Sequence, residues 1–206
     1  MSIVKHYFFS LLLLFFFSNS AFAQAPETGW ISNVNHFPVK VNLQLTGQSQ
    51  QNTVNAILNV SLDTGWKTYW RSPGEGGVAP TFEWAAQSTN IKAVDWTWPT
   101  PKRYPVLGVE TVGYKDQIHF PIQLQLEDIE QVAHLQGTLT LASCTTICVL
   151  TDYEIDLSFY PGSLSIDEDV AFSYAQAVSS VPILVAKSAI KAQKNNANIT
   201  DFVSSW

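Results

Sequence analysis

Between residues 39 and 159 the apolar positions recur at every second residue, in short runs broken by turn chemistry. VKVNLQLTG (39–47) and TVNAILNVSLD (53–63) alternate as strands do when one face is buried and the other meets water. WKTYW (66–70), TFEWA (81–85), KAVDWTW (92–98), QIHFPIQLQL (117–126), HLQGTLTLAS (134–143) and CVLTDYEIDLSF (148–159) continue the pattern. Asp63-Thr64-Gly65, Ser72-Pro73-Gly74 and Glu127-Asp128 punctuate it. Seven or eight short strands in succession predict an all-β fold, an immunoglobulin-like β-sandwich over residues 24–160.

The period changes after Tyr160-Pro161-Gly162. IDEDVAFSYAQAVSSVP (166–182) places Val170, Tyr174, Ala177, Val178 and Val181 at helical spacing, with acids in the first turn and Pro182 as the stop. ILVAKSAIKAQKNNANITDFVSSW (183–206) starts like a strand and turns polar, so residues 161–206 read as a connector helix and an incomplete or irregular tail. At the other end, Lys5 and His6 precede the 11-residue apolar run YFFSLLLLFFF (7–17), and Ala21-Phe22-Ala23 has the form of a cleavage site. A membrane span needs roughly 20 apolar residues. Residues 1–23 are therefore expected to be a secretory signal peptide, an uncleaved anchor being the alternative.

Charge narrows the partners. With 11 Lys+Arg against 17 Asp+Glu the net charge is −6 and no basic patch stands out, which argues against nucleic acid or an anionic membrane surface. Export implies an oxidising compartment, where a cysteine pair can be bonded or in exchange. The chain has two cysteines, Cys144 and Cys148, in LASCTTICVL (141–150).

Their spacing constrains the geometry. Four residues of extended chain span about 13 Å, whereas a disulfide needs Cα atoms about 4.4–6.8 Å apart. The pair can close if Thr145-Thr146-Ile147 is a hairpin tip, although such tips favour a glycine that is missing here; a short helical turn would serve as well. Cross-linking so short a loop removes only about 2 kcal/mol of denatured-state entropy, so the bond is a poor staple and a good candidate for exchange. A redox pair, a passive staple and a metal site all stay open on these grounds. Two thiolates make half a zinc shell and His36, His119 and His134 lack ligand spacing, which leaves copper(I) as the metal option.

Two further stretches carry candidates. In GWKTYWRSPGEGG (65–77) alternation puts Trp66, Thr68 and Trp70 on one strand face and Lys67, Tyr69 and Arg71 on the other. Trp66 and Trp70 are expected in the core, Tyr69 and Arg71 at a surface. WTWPTPKRYPVLGVETVGYKDQ (96–117), stiffened by Pro99, Pro101 and Pro105, reads as a long structured loop that either covers the disulfide or merely wraps the sandwich. No G-x-x-x-x-G-K-[ST] loop supports nucleotide binding, and no G-x-S-x-G elbow supports hydrolysis.

Taken in order, GWKTYWRSPGEGG, the W-x-W-P-x-P segment from Trp96 to Pro101, GYKDQIHFPI and SCTTICVL resemble the periplasmic N-terminal domain of DsbD-type thiol:disulfide interchange proteins, in particular the ScsB-like, copper-tolerance-associated branch. The resemblance implies an immunoglobulin-like sandwich whose redox-active pair is Cys144 and Cys148, shielded by a loop and by aromatic neighbours. Tyr69, Trp70, Arg71 and Tyr114 are the positions for shielding or partner contact. It also implies a protein-disulfide reductase module that exchanges with periplasmic thiol–disulfide proteins. Such a module is re-reduced by a membrane-embedded electron donor and has no small-molecule cofactor. By analogy Cys148 is the attacking cysteine. A non-catalytic binding module with a structural disulfide and a copper(I)-binding protein remain the alternatives. Two features depart from the family. Leu150 stands where proline is common, and the membrane and thioredoxin-like domains that usually follow are not in this sequence, so the chain is expected to be a module served by a separate donor, a truncated piece of something longer, or a domain that has lost redox turnover. An acidic domain with Arg71 and Lys115 as its candidate cations does not show what would favour a thiolate.

Overall fold

In a computed structural model, residues 25–106, 108–183, 190–194 and 200–204 are described. The expected signal peptide, residues 1–23, lies outside them, as does much of the tail beyond residue 183. Among the described residues eleven strands precede a helix: β1 (Ile31–Asn33), β2 (His36–Gln50), β3 (Thr53–Leu62), β4 (Lys67–Gly74), β5 (Thr81–Trp84), β6 (Ile91–Trp96), β7 (Lys102–Val106), β8 (Val109–Lys115), β9 (Gln117–Leu126), β10 (Ala133–Cys144) and β11 (Cys148–Phe159). A 3-10 turn at Pro161–Ser163 leads to helix α1 (Glu168–Ser179), and β12 (Ile190–Lys194) pairs with β13 (Thr200–Ser204).

The strands form two antiparallel sheets, β1-β2-β3-β9-β6 and β11-β10-β4-β8-β7, with β5 paired to β10. The expected all-β sandwich is therefore the observed fold. Alternation explains the layering. Val54, Ala56, Leu58 and Val60 of β3 face Leu135, Leu139 and Leu141 of β10 and Tyr153 and Ile155 of β11 in one buried cluster. Trp66, Trp70, Trp96 and Trp98 pack against its margin. Ile57 points the other way and is covered by Val170 and Ala177 of α1. That helix begins where Asp167 accepts a bond from the Val170 amide (3.1 Å), with Glu168 and Asp169 in its positive first turn.

One expectation needs correcting. The stretch 96–117 is not a loop: β7 and β8 form a hairpin within it, with Lys102 opposite Gly113 and Val106 opposite Val109. Pro105 is compatible because β7 is a sheet edge, where a missing N–H leaves no ladder bond unmade. The strand β1 was also unforeseen; it is only three residues long and holds its place by pairing with β2.

Candidate functional site

The pair closes as a hairpin. β10 and β11 stay in register from Ala133 opposite Phe159 to Cys144 opposite Cys148, and the two cysteines are joined by a disulfide with Cα atoms 4.1 Å apart. That separation belongs to a non-hydrogen-bonded antiparallel pair, where opposing side chains approach most closely. The Thr145 amide donates to the Ile147 carbonyl (2.9 Å) across the tip. None of Thr145, Thr146 and Ile147 adopts a positive φ, which is how the turn dispenses with glycine.

The two cysteines differ in exposure because β10 is an interior strand and β11 an edge. Cys144 is 0 % exposed, enclosed with Tyr69 of β4, Val106 of β7 and Ala142 of β10. Cys148 is exposed, with Ile147 and Leu150 standing out beside it.

Tyr69 is the polar group on the pair. Its hydroxyl lies 3.0 Å from the Cys144 Sγ and 3.8 Å from the Cys148 Sγ, and since neither sulfur carries a proton the phenol is the donor. Burial pushes the phenol pKa above 10, so the donor proton is retained. The SPGEGG turn backs the ring: a Cβ on Gly77 would sit 2.9 Å from the ring and 2.5 Å from the Pro73 Cβ. Gly113 serves the next strand likewise, since a Cβ there would meet the Thr68 carbonyl.

The structure does not bring the other expected neighbours to the disulfide. Tyr114 pairs in register with Thr68, on the opposite face of the sheet from Tyr69. Its hydroxyl donates to the Pro99 carbonyl (2.8 Å) and its ring meets Phe120 edge-on at 5.3 Å. Burial raises its pKa far beyond the usual phenol value, against a smaller opposing effect of Arg71. Trp70 packs on the main core, and the Arg71 guanidinium lies over it, 5.1 Å from the ring centroid. The register between β4 and β8 slips between Tyr69 and Gly74, which turns Arg71 out of the ladder. Tyr69 itself, expected at a surface, is 2 % exposed, because β7 and the 73–77 turn cover its face.

Sequence reasoning missed Val106, Ala142 and Lys67. Val106 sits in a proline-rich stretch with no period to mark it. Lys67 pairs in register with Cys144, and its Nζ donates to the Pro105 carbonyl (3.1 Å) and lies 5.6 Å from the Tyr104 ring centroid. The face alternation of β4 already put Lys67 beside Tyr69; what was not local was that β10 is the next strand.

The histidines stand apart from one another. His36 bonds the Ser143 Oγ (2.7 Å), His119 the Asn59 Oδ1 (2.6 Å) and His134 the Asp156 Oδ1 (2.9 Å). Among the described residues no three His, Cys, Asp or Glu side chains gather as a metal cluster, and no helix is long and apolar enough to cross a membrane.

The family model described as "Thiol:disulfide interchange protein DsbD, N-terminal" matches residues 36–159. The crystal structure of the N-terminal periplasmic domain of ScsB from Proteus mirabilis is 33% identical, with a TM-score of 0.67 over 84% of this chain and 67% of that one. No curated protein matches the chain.

Proposed function

The chain belongs to the DsbD N-terminal family, and on that premise we propose that it is a periplasmic module that passes reducing equivalents to partner proteins through Cys144 and Cys148. The observation that supports the reading is the asymmetry of the pair: Cys148 is exposed, whereas Cys144 is buried with its sulfur nearer the Tyr69 hydroxyl, 3.0 Å against 3.8 Å.

Exchange requires in-line approach of a thiolate to one sulfur while the other leaves. A donor thiolate attacks the Cys148 Sγ from solvent; the Cys144–Cys148 bond breaks, a donor–Cys148 disulfide forms and Cys144 leaves as a thiolate. The donor's second thiolate then displaces Cys148, leaving the donor oxidised and this pair a dithiol. In the second half the Cys148 thiolate attacks a partner's disulfide, releasing one partner thiolate. Cys144 then attacks the Cys148 Sγ, restoring the internal bond and releasing the second. Two electrons and two protons pass from donor to partner. Tyr69 donates to Cys144 each time it carries negative charge, and Val106 keeps other nucleophiles from that sulfur.

The test is a pair of single variants. Cys144→Ser should accumulate a mixed disulfide through Cys148 with an oxidised partner, and Cys148→Ser should accumulate none. The reduction potential of the intact pair should lie above about −300 mV. A lower value, with no trapped adduct from either variant, would mark the bond as a permanent staple and end the exchange reading.

A further inference from the structure

Thiol exchange at Cys148 expels Cys144 as a thiolate into an enclosed site, and a buried anion needs a nearby positive charge or strong donors. Tyr69 supplies one donor. Lys67 is directly opposite Cys144 on the neighbouring strand, and opposed residues of an antiparallel pair project from the same face of the sheet. Its ammonium is engaged with two neutral groups, the Pro105 carbonyl and the Tyr104 ring. Among the described residues the ion pairs are Lys115–Asp116 and His134–Asp156, so no carboxylate holds Lys67.

The other charges near this face are less well placed. Lys115 is one strand further, opposite Lys67 on β8, and leans to Asp116 at 4.0 Å. Arg71 is turned out over Trp70. Asp152 of β11 accepts a bond from the Thr140 hydroxyl and lies opposite Thr140, four residue pairs up the hairpin from the disulfide. Val106 and Ala142 are apolar.

We propose that Lys67 is the electrostatic partner of the Cys144 thiolate: when the disulfide opens, its ammonium exchanges the Pro105 carbonyl for the sulfur. The exchange is favourable because a hydrogen bond to an ionised group is roughly twice as strong as one to a neutral acceptor. No bond within the lysine is made or broken; it lowers the pKa of the leaving sulfur and so speeds departure of Cys144. This is a positioning role, and it rests on the reading in which Cys148 is attacked and Cys144 leaves.

The test isolates the thiol from the reaction. In a Cys148→Ser background only Cys144 titrates, and its pKa can be followed by thiolate absorbance. Lys67→Gln keeps a donor for Pro105 but removes the charge, and should raise that pKa by about one unit; Lys67→Arg should restore most of the shift. In the protein with both cysteines, Lys67→Gln should move the equilibrium with glutathione toward the disulfide by up to about tenfold, or about 30 mV. An unmoved Cys144 pKa in Lys67→Gln, with exchange at Cys148 normal, overturns the proposal. A moved pKa in a protein that exchanges with nothing supports Lys67 and overturns the exchange reading instead.

Discussion

Tyr69 joins local pattern to chemistry. Alternation along β4 sends it to the face away from the main core, yet it is buried because other segments cover that face. Its hydroxyl is then held against the Cys144 sulfur, where, on the proposed mechanism, it would stabilise the charge that appears when the bond breaks. A hydrogen bond to a charged group contributes about 1.5–3 kcal/mol. Tyr69→Phe keeps the ring and deletes the donor. It should slow reduction of the disulfide by dithiothreitol roughly tenfold, the equivalent of about 1.4 kcal/mol, with little change in unfolding midpoint. An unchanged rate in stopped-flow measurements would falsify the assignment of the hydroxyl to the leaving sulfur.

At the scale of elements, β7 covers one cysteine of the pair and not the other. It is an edge strand of five residues, held to the sheet by β8 on one side only. The Lys67 ammonium bonds its Pro105 carbonyl, and Val106, 6 % exposed, closes over Cys144. The edge strand β11, by contrast, leaves Cys148 open. Val106→Ala should therefore change selectivity more than stability. In a Cys148→Ser background the lone Cys144 thiol should react slowly with an aromatic disulfide, and Val106→Ala should bring its rate toward that of Cys148 measured in Cys144→Ser. Equal slow rates with and without the valine would mean that another group provides the cover.

Stability of the whole molecule is coupled to pH through two separated histidines. His36 is buried beside Ser143 and Trp66 at one end of the sandwich, and half-buried His119 ends a side-chain chain through Asn59 and Asn42 to Glu27. Burial lowers both pKa values below 6.5. The folded state thus resists protons that the unfolded chain accepts. Stability from these groups is fully present above about pH 6.5, the unfolded value, and is lost as pH falls from there through the folded values. Denaturant midpoints should drop between pH 7 and pH 5. The drop should shrink in a His36→Asn, His119→Asn double variant, compared with its own value at pH 7; an equal drop in both proteins would place the titration elsewhere.

Much of this protein is determined by its sequence alone. The period-two pattern specified the sandwich, because each strand must bury one face and a two-layer sheet is the stable way to do so. The switch to helical spacing located α1, and the reach of a four-residue separation required Cys144 and Cys148 to meet at a turn. The stretch 96–117 was illegible because its prolines mask a hairpin whose strands are stabilised by pairing and not by a local period. What only the tertiary structure decided is the inequality of the two sulfurs and the company they keep. Strand order makes β10 interior and β11 an edge, puts Lys67 opposite Cys144, and sends Tyr114 to the far side of the sheet from Tyr69. Those relations are between residues about 40 to 80 positions apart, and alternation can state which face a side chain takes but not which strand lies beside it.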